Sequence, residues 1–177
     1  REFVFVPRRV VLLAAGKAAA PMAMAAHRAL GPLVAETLVV APDGASGEAA
    51  PPPGRFLATA HPVPDERSVA AGRAAFDLAS GLHREQLLVV LLSGGASSLM
   101  ALPGESISLD DKTRTVGLLA AAGATASDVN LVRSALSRIK GGRLAAAARS
   151  ADVVTLVLSD LGDAGWHLVA SGPTLGV

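Results

Sequence analysis

The sequence contains no cysteine and no tyrosine, and only 3% of its 177 residues are aromatic. The absence of cysteine excludes disulfides, thiolate nucleophiles and cysteine-ligated metal sites. The scarcity of aromatic rings argues against the stacking platforms on which proteins bind nucleic-acid bases. A net charge of +1 gives no electrostatic reason to expect nucleic acid or an anionic membrane. The composition therefore argues against both classes of partner.

Hydrophobic residues make up 51% of the chain, and its mean hydropathy is +0.46. This length and composition predict one compact domain over residues 1–177 with a substantial core. The apolar stretch 10–26 is interrupted by Lys17 and Pro21, so it is too short for a signal peptide or a spanning helix. The frequent Ala, Gly, Arg and Pro are typical of a GC-rich bacterial genome. Because the chain starts without methionine and stops after a loop, we expect it to be one piece of a longer protein.

Three apolar runs, 10–15, 87–92 and 153–158, predict strands that are buried on both faces in the middle of a sheet. Helix-forming segments alternate with the strands, and Ser68 is predicted to cap one of these helices. This alternation predicts βαβ units. We therefore expect an α/β fold, namely a three-layer Rossmann-like domain with a mostly parallel sheet covered by helices on both faces.

A patch of small residues follows the run 87–92. It consists of Ser93, Gly94, Gly95, Ala96 and Ser97. Ligands of parallel sheets bind where strands end and helices begin, and glycines let backbone amides approach a phosphate or carboxylate. The patch therefore predicts an anion-binding turn. The alternative is a tight strand-to-helix turn without a ligand.

Two charged residues follow the other buried strands. Lys17 comes directly after the strand 10–15, where the lysine of phosphate-binding loops also stands, although the full P-loop pattern is absent. The alternative is a lysine that extends its amine to solvent from a helix start. Asp160 follows the strand 153–158, where α/β enzymes hold metal ligands or an acid/base group. Its alternative is an N-cap.

A predicted helix over 127–139 carries a polar stripe at helical spacing. The stripe consists of Asn130, Arg133, Ser137 and Lys140. Two cations without a carboxylate suit an anionic ligand, and a plain solvent-exposed face fits the spacing equally well. His61 lies in a turn stiffened by two prolines, where we favour a turn-stabilising hydrogen bond over general-base catalysis.

Several of these segments together resemble a known family. Residues 61–65, 93–97, 130–133, 136–145, 158–160 and 170–174 are similar, in order and spacing, to the amino-terminal domain of bacterial-type glycerate 2-kinases. Some members of that family have also been called hydroxypyruvate reductases. By this resemblance Lys17 corresponds to an essential lysine and Asp160 to a carboxylate of the active cleft. The resemblance also implies a cytoplasmic enzyme with a second, carboxy-terminal domain and a cleft between the two domains.

The implied reaction transfers the γ-phosphoryl group of ATP to the 2-hydroxyl of D-glycerate with Mg²⁺ bridging the phosphates. In this reaction Lys17 would neutralise phosphate charge, and Arg133 and Lys140 would hold the glycerate carboxylate or phosphates. The turn 93–98 would donate backbone amides. Asp160 would either bind Mg²⁺ or orient the attacking hydroxyl.

The sequence departs from the family pattern at Ala96, where the family usually has a third glycine, and after Asp160, where the Gly162-Asp163 pair is shifted by one place. Two other functions therefore stay open. One is a non-catalytic ligand-binding or scaffold fragment. The other is a nicotinamide-dependent oxidoreductase, although no Gly-x-Gly-x-x-Gly follows a strand.

Overall fold

The computed structural model describes residues 9–45, 51–159 and 165–175. The strands in these ranges are β1 (Arg9–Ala15), β2 (Val34–Pro42), β3 (Gly54–Thr59), β4 (Gln86–Ser93) and β5 (Asp152–Leu158). They form one sheet in the order β3-β2-β1-β4-β5, in which every neighbouring pair is parallel. The parallel sheet predicted from the sequence is confirmed.

Helices connect most of the strands. They are α1 (Ala19–Leu30), α2 (Glu66–Ser80), α3 (Ala96–Leu99), α4 (Leu109–Ala121), α5 (Ala126–Ala135) and α6 (Arg143–Ala147), with 3₁₀ turns at Gly31–Leu33 and Trp166–Ser171. No helix within the described ranges is long and apolar enough to cross a membrane.

Two hydrophobic cores lie on opposite faces of the sheet because successive strand residues point to opposite sides. On one face Ala19 and Ala23 of α1 pack against alternate residues of β1 and β4. On the other face α2 and α6 pack against the intervening residues, and Leu144 of α6 is completely buried. The small alanines of α1 and α2 let both helices approach the sheet closely. Helices therefore cover both faces, as the sequence predicts.

The position of β5 corrects one expectation. The apolar run 153–158 predicts a central strand, but β5 is an edge strand of the sheet that the structure describes. One face of β5 packs into the core through Val153 and Val157. On its other face Val154, Leu156 and Leu158 are 45%, 53% and 55% exposed. An apolar run predicts a strand, but its place in the sheet depends on what packs against it.

Two helix boundaries also differ from the sequence prediction. Asp65, not Ser68, caps α2, because its carboxylate accepts the Ser68 N–H while the Ser68 hydroxyl accepts the Asp65 N–H. This arrangement is a capping box with Ser68 as its third helical residue. The helix predicted to reach residue 139 ends at Ala135. Lys140 therefore lies beyond α5 and does not extend its polar stripe.

The strand order creates a crevice beside β1. From β1 the chain builds β2 and β3 on one side and then crosses back to place β4 and β5 on the other. Such a reversal is the point where open parallel sheets bind ligands, beyond the carboxyl ends of the strands. Ala15 of β1 pairs with Leu92 of β4, and Ser93 pairs with Leu158 of β5. The residues after β1, β4 and β5 therefore leave the sheet along one edge.

Candidate anion-binding site

Gly16 and Ser93 bring the ends of β1 and β4 into direct contact. Gly16 has φ of 128°, and a Cβ there would overlap the Ser93 hydroxyl and lie 2.6 Å from the Ser93 carbonyl oxygen. The Ser93 Oγ accepts a hydrogen bond from the Ala18 N–H at 3.0 Å, and the Lys17 N–H donates to the Gly94 carbonyl at 2.9 Å. Only glycine fits at position 16, so the contact fixes the backbone of Lys17 above the crevice.

Gly95 provides the surface along which the exposed Lys17 side chain lies. It has φ of 90°, and a Cβ there would lie 3.4 Å from the Lys17 Cγ and 3.2 Å from the His61 Cε1. Ala96 is buried and begins α3, so the left-handed conformation falls on Gly95. Alanine therefore fits where the family usually has a third glycine.

His61 is joined to the same turn from another segment. Its Nδ1 lies 2.7 Å from the Ser98 Oγ, which in turn donates to the Gly95 carbonyl at 3.1 Å. Because the hydroxyl proton points to Gly95, Ser98 accepts a hydrogen bond from His61. Desolvation, with a smaller contribution from the charge of Lys17, lowers the pKa of His61. The structure shows that His61 makes a hydrogen bond, to a residue of another segment, while the choice between that role and general-base catalysis stays a prediction. His61 and Lys17 both lie against Gly95, and the lowered pKa favours the neutral imidazole there.

A buried polar network holds the rest of the turn. The Ser97 Oγ lies 3.1 Å from the Ser171 Oγ, which donates to the Asn130 Oδ1 at 2.6 Å. Ser171 has φ of 60° and lies between Ala170 and Gly172, both also at φ of 58°. Left-handed alanine and serine are strained conformations that persist only when surrounding contacts fix them. The small-residue loop 170–174 is therefore a defined partner of the turn after β4.

Lys140 belongs to this network and does not reach the crevice surface. It is 1% exposed, and its Nζ lies 3.0 Å from the Ser97 carbonyl, 3.1 Å from the Ser97 Oγ and 3.3 Å from the Ala170 carbonyl. Burial, and to a smaller extent the charges of Lys112 and Arg133, lower its pKa well below the usual value. Its donors are occupied by protein oxygens, so this geometry differs from the ligand contact expected from the sequence.

Arg133 is half-buried and lines a cleft of about 220 Å³ between α3, α4, α5 and the segment 62–64. Lys112 of α4 lines the same cleft, and neither the sequence motifs nor the resemblance identifies it. Desolvation, with a smaller contribution from Arg133, lowers the pKa of Lys112 to about 8. One signal in the sequence was available: Lys112 stands at helical spacing with Val116 and Leu119, a position where an apolar residue is expected.

Asp160 lies outside the described residues. Its strand ends at Leu158, which pairs with Ser93. The described residues contain no group of three or more His, Asp or Glu side chains arranged to hold a metal ion. Mg²⁺ in phosphoryl-transfer sites needs only one or two carboxylates, because substrate phosphates and water supply the other ligands. Asp160 as a carboxylate ligand stays a prediction from the sequence.

These features define the protein as an α/β domain with cationic and hydroxyl side chains gathered where the strand order of a parallel sheet reverses. The chain belongs to the sequence family described as "Domain of unknown function (DUF4147)", which matches residues 4–176. The resemblance to the amino-terminal domain of glycerate 2-kinases is confirmed by similarity to curated proteins with that name.

Over 166 residues the chain is 42% identical to the D-glycerate 2-kinase of Thermotoga maritima, covering 93% of this chain and 39% of that protein. It is 38% identical to a human glycerate kinase, covering 95% of this chain and 34% of the relative. It is also 43% identical to an Agrobacterium vitis protein named putative hydroxypyruvate reductase, covering 94% and 38%. The chain therefore spans between about one third and two fifths of the length of these relatives.

Solved structures show the same fold. The crystal structure of a glycerate kinase from Thermotoga maritima superposes with a TM-score of 0.89 at 40% identity, covering 95% of this chain and 40% of that chain. A protein from Pyrococcus horikoshii OT3 superposes with a TM-score of 0.84 at 34% identity, covering 96% and 38%. The three-layer α/β architecture is therefore common to all three proteins.

Proposed function

We propose that the full-length protein transfers the γ-phosphoryl group of ATP to the 2-hydroxyl of D-glycerate. The observation that carries this proposal is the exposed Lys17, fixed by Gly16 and Ser93 at the reversal point of the sheet and lying along Gly95. The names of the Thermotoga and human relatives supply the substrate. In the reaction a P–O bond of ATP breaks, a new P–O bond forms to the glycerate oxygen, and the hydroxyl proton is released.

Lys17 neutralises negative charge on the transferred phosphoryl group. Phosphoryl transfer spreads charge over the equatorial phosphate oxygens, and a cation held in place stabilises that charge without reorganisation. The hydrogen bonds of Lys17 and Ala18 to the turn after β4 hold the lysine backbone in position. The neutral His61 beside it adds no competing positive charge and supports the turn through Ser98.

Asp160 supplies the carboxylate of the proposed site. It either accepts the proton of the attacking hydroxyl or binds Mg²⁺, which when bound offsets phosphate charge. Ser93, Gly94, Gly95, Ala96 and Ser97 form the turn that borders the substrates. Lys140 acts as a positioning residue, since its amine binds Ser97 from inside the domain. Arg133 is proposed to contact an anionic group of a substrate from the cleft that it lines.

The test measures glycerate-dependent ADP formation by the full-length protein and its Lys17→Ala variant. We expect a loss of at least 100-fold in kcat with an unchanged circular dichroism spectrum, because Lys17 is exposed and contributes little to packing. Arg84→Ala is the matched control, because Arg84 is exposed and precedes the amino-terminal end of β4, whereas Lys17 follows the carboxyl-terminal end of β1. Turnover by Lys17→Ala equal to that of the control would contradict the role of Lys17.

Two further assays distinguish the proposed kinase from the alternative functions. The name of the Agrobacterium relative motivates an assay of hydroxypyruvate-dependent NADH and NADPH oxidation; we expect no activity above the background rate. The 177 residues alone are expected to bind anions with little or no turnover, because we propose that catalysis requires a second domain. Robust turnover by these residues alone would contradict that requirement. Anion binding without turnover by the full-length protein would favour a non-catalytic role.

A further inference from the structure

We propose that the cleft between α3, α4 and α5 is a second oxyanion site, in which Lys112 and Arg133 together bind a carboxylate or phosphate group. This inference rests on the proposed function, because it assigns an anionic group of a substrate to side chains that no motif identifies. Residues of α4 and α5 form one wall of the cleft, and Ser97 and Ser98 line it from the segment after β4.

Lys112 has the property that distinguishes a ligand-binding amine from a structural one. The residue is 6% exposed, and its Nζ has no hydrogen-bond partner among the residues that the structure describes. A buried ammonium without a partner is costly, so such groups are normally paired. Lys140, the other buried lysine, shows the contrast, because its amine binds three or more protein oxygens. An anion in the cleft would satisfy Lys112 in the same way.

The lining of the cleft has one sign of charge. Its charged members are Lys112 and Arg133, and no carboxylate lines it within the described part of the chain. The other side chains that line the cleft are apolar, such as Val63 and Val116, or carry a hydroxyl group, such as Ser97 and Thr113. Apolar walls strengthen the attraction between the two cations and an anion. The volume of about 220 Å³ is far above the roughly 10–15 Å³ that one water molecule requires.

The cleft is linked to the first site through one short segment. Ser97 and Ser98 line the cleft, whereas Gly95 lies against Lys17 on the crevice side. A reaction between two anionic substrates is favoured by a cationic site for each, because both substrates must be held against their mutual repulsion. Lys17 serves the phosphoryl group in the proposed reaction. Lys112 and Arg133, which lie in α4 and α5, provide the second positive centre in the cleft that Ser97 and Ser98 also line.

The experiment measures binding of inorganic phosphate and of D-glycerate to the full-length protein by isothermal titration calorimetry. The variants are Lys112→Met and Arg133→Met, with Arg84→Met as a matched control in which an exposed cation is replaced. We expect Lys112→Met and Arg133→Met each to lower the affinity for at least one of the two ligands 10-fold or more. Thermal unfolding of every variant establishes that the fold is retained, and Lys112→Met is expected to unfold at a higher temperature than the wild type.

Loss of glycerate binding alone identifies the cleft as the carboxylate site. Loss of phosphate binding alone identifies it as a phosphate site, and loss of both identifies it as a shared oxyanion site. Unchanged affinity for both ligands in a folded Lys112→Met protein overturns the proposal, as does an equal loss in the Arg84→Met control. The outcome is independent of the kinase assay. A protein that lacks glycerate-dependent ADP formation but loses phosphate binding in Lys112→Met would refute the proposed function and retain the cleft site.

Discussion

Lys112→Met should stabilise the protein, although it removes a residue that we assign to ligand binding. Methionine retains most of the aliphatic stem of lysine and removes the amine, which has no hydrogen-bond partner among the described residues. Desolvation, and to a smaller extent Arg133, lower the pKa of Lys112 from 10.5 to about 8. A difference of about 2.5 between these values corresponds to about 3 kcal/mol of unfavourable free energy for the charged amine in the folded state.

The size of this effect depends on pH. Below pH 8 both the folded and the unfolded chain hold the Lys112 proton, so the folded protein bears the full cost. Between pH 8 and 10.5 the folded protein loses the proton first, and the free energy of unfolding of the wild type rises with pH. The advantage of Lys112→Met should therefore be largest at pH 7 and should shrink as the pH approaches 10. The charge of Arg133 adds to the cost of the charged Lys112 with the same sign, and Lys112 and Arg133 in turn contribute to the lowered pKa of Lys140.

Urea denaturation of the wild type and of Lys112→Met at pH 7 and pH 9.5, without added phosphate or glycerate, measures this difference. In a thermal melt at pH 7, an increase of about 3 kcal/mol in the free energy of unfolding corresponds to a rise of roughly 6–12 °C in melting temperature for a chain of this size. Lys17→Met is the matched control, because it makes the same replacement at an exposed position and should change stability by less than about 0.5 kcal/mol. A Lys112→Met protein that is less stable than the wild type at pH 7 would show that the amine is paired in solution, and the reasoning would fail.

Three further changes test other parts of the structure by denaturant unfolding. Lys140→Met should destabilise the protein by about 1–3 kcal/mol, because it leaves buried carbonyl oxygens without their donor; a neutral or stabilising result would show that these oxygens find other partners. Gly16→Ala should cost more than about 3 kcal/mol, since the new Cβ would lie 2.6 Å from the Ser93 carbonyl oxygen at a φ of 128°. Its control, Gly117→Ala, lies in open space within α4 and should stabilise by about 0.5–1 kcal/mol. Asp65→Ala should cost about 1 kcal/mol by removing the capping box of α2, and no loss would indicate that the helix start is held by other contacts.

Part of the candidate site is predictable from the sequence, and part depends on contacts between residues that are distant in the chain. Lys17 and the residues from Ser93 to Ser97 are predictable from the sequence, because both segments follow an apolar strand and the carboxyl ends of parallel strands lie along one edge of the sheet. The sequence predicts a ligand contact for Lys140 because the predicted helix continues to residue 139. In the structure α5 ends at Ala135, and Lys140 turns into the domain. Whether a lysine faces a ligand or a set of carbonyl oxygens depends on residues distant in sequence, here Ser97 and Ala170.

The sequence by itself determined the class of fold. Its unbroken apolar runs require burial on two faces, the alternation with helices requires parallel strands, and the glycines at 16 and 95 mark backbone conformations that larger residues avoid. The tertiary structure alone decided that β5 lies at an edge of the described sheet and that His61 binds Ser98. It also decided that Lys112 is buried in the same cleft as Arg133, with no hydrogen-bond partner among the residues that the structure describes. The physical reason is that burial, desolvation and charge pairing are properties of packed neighbours, whereas periodicity along the chain records only which face of an element is apolar.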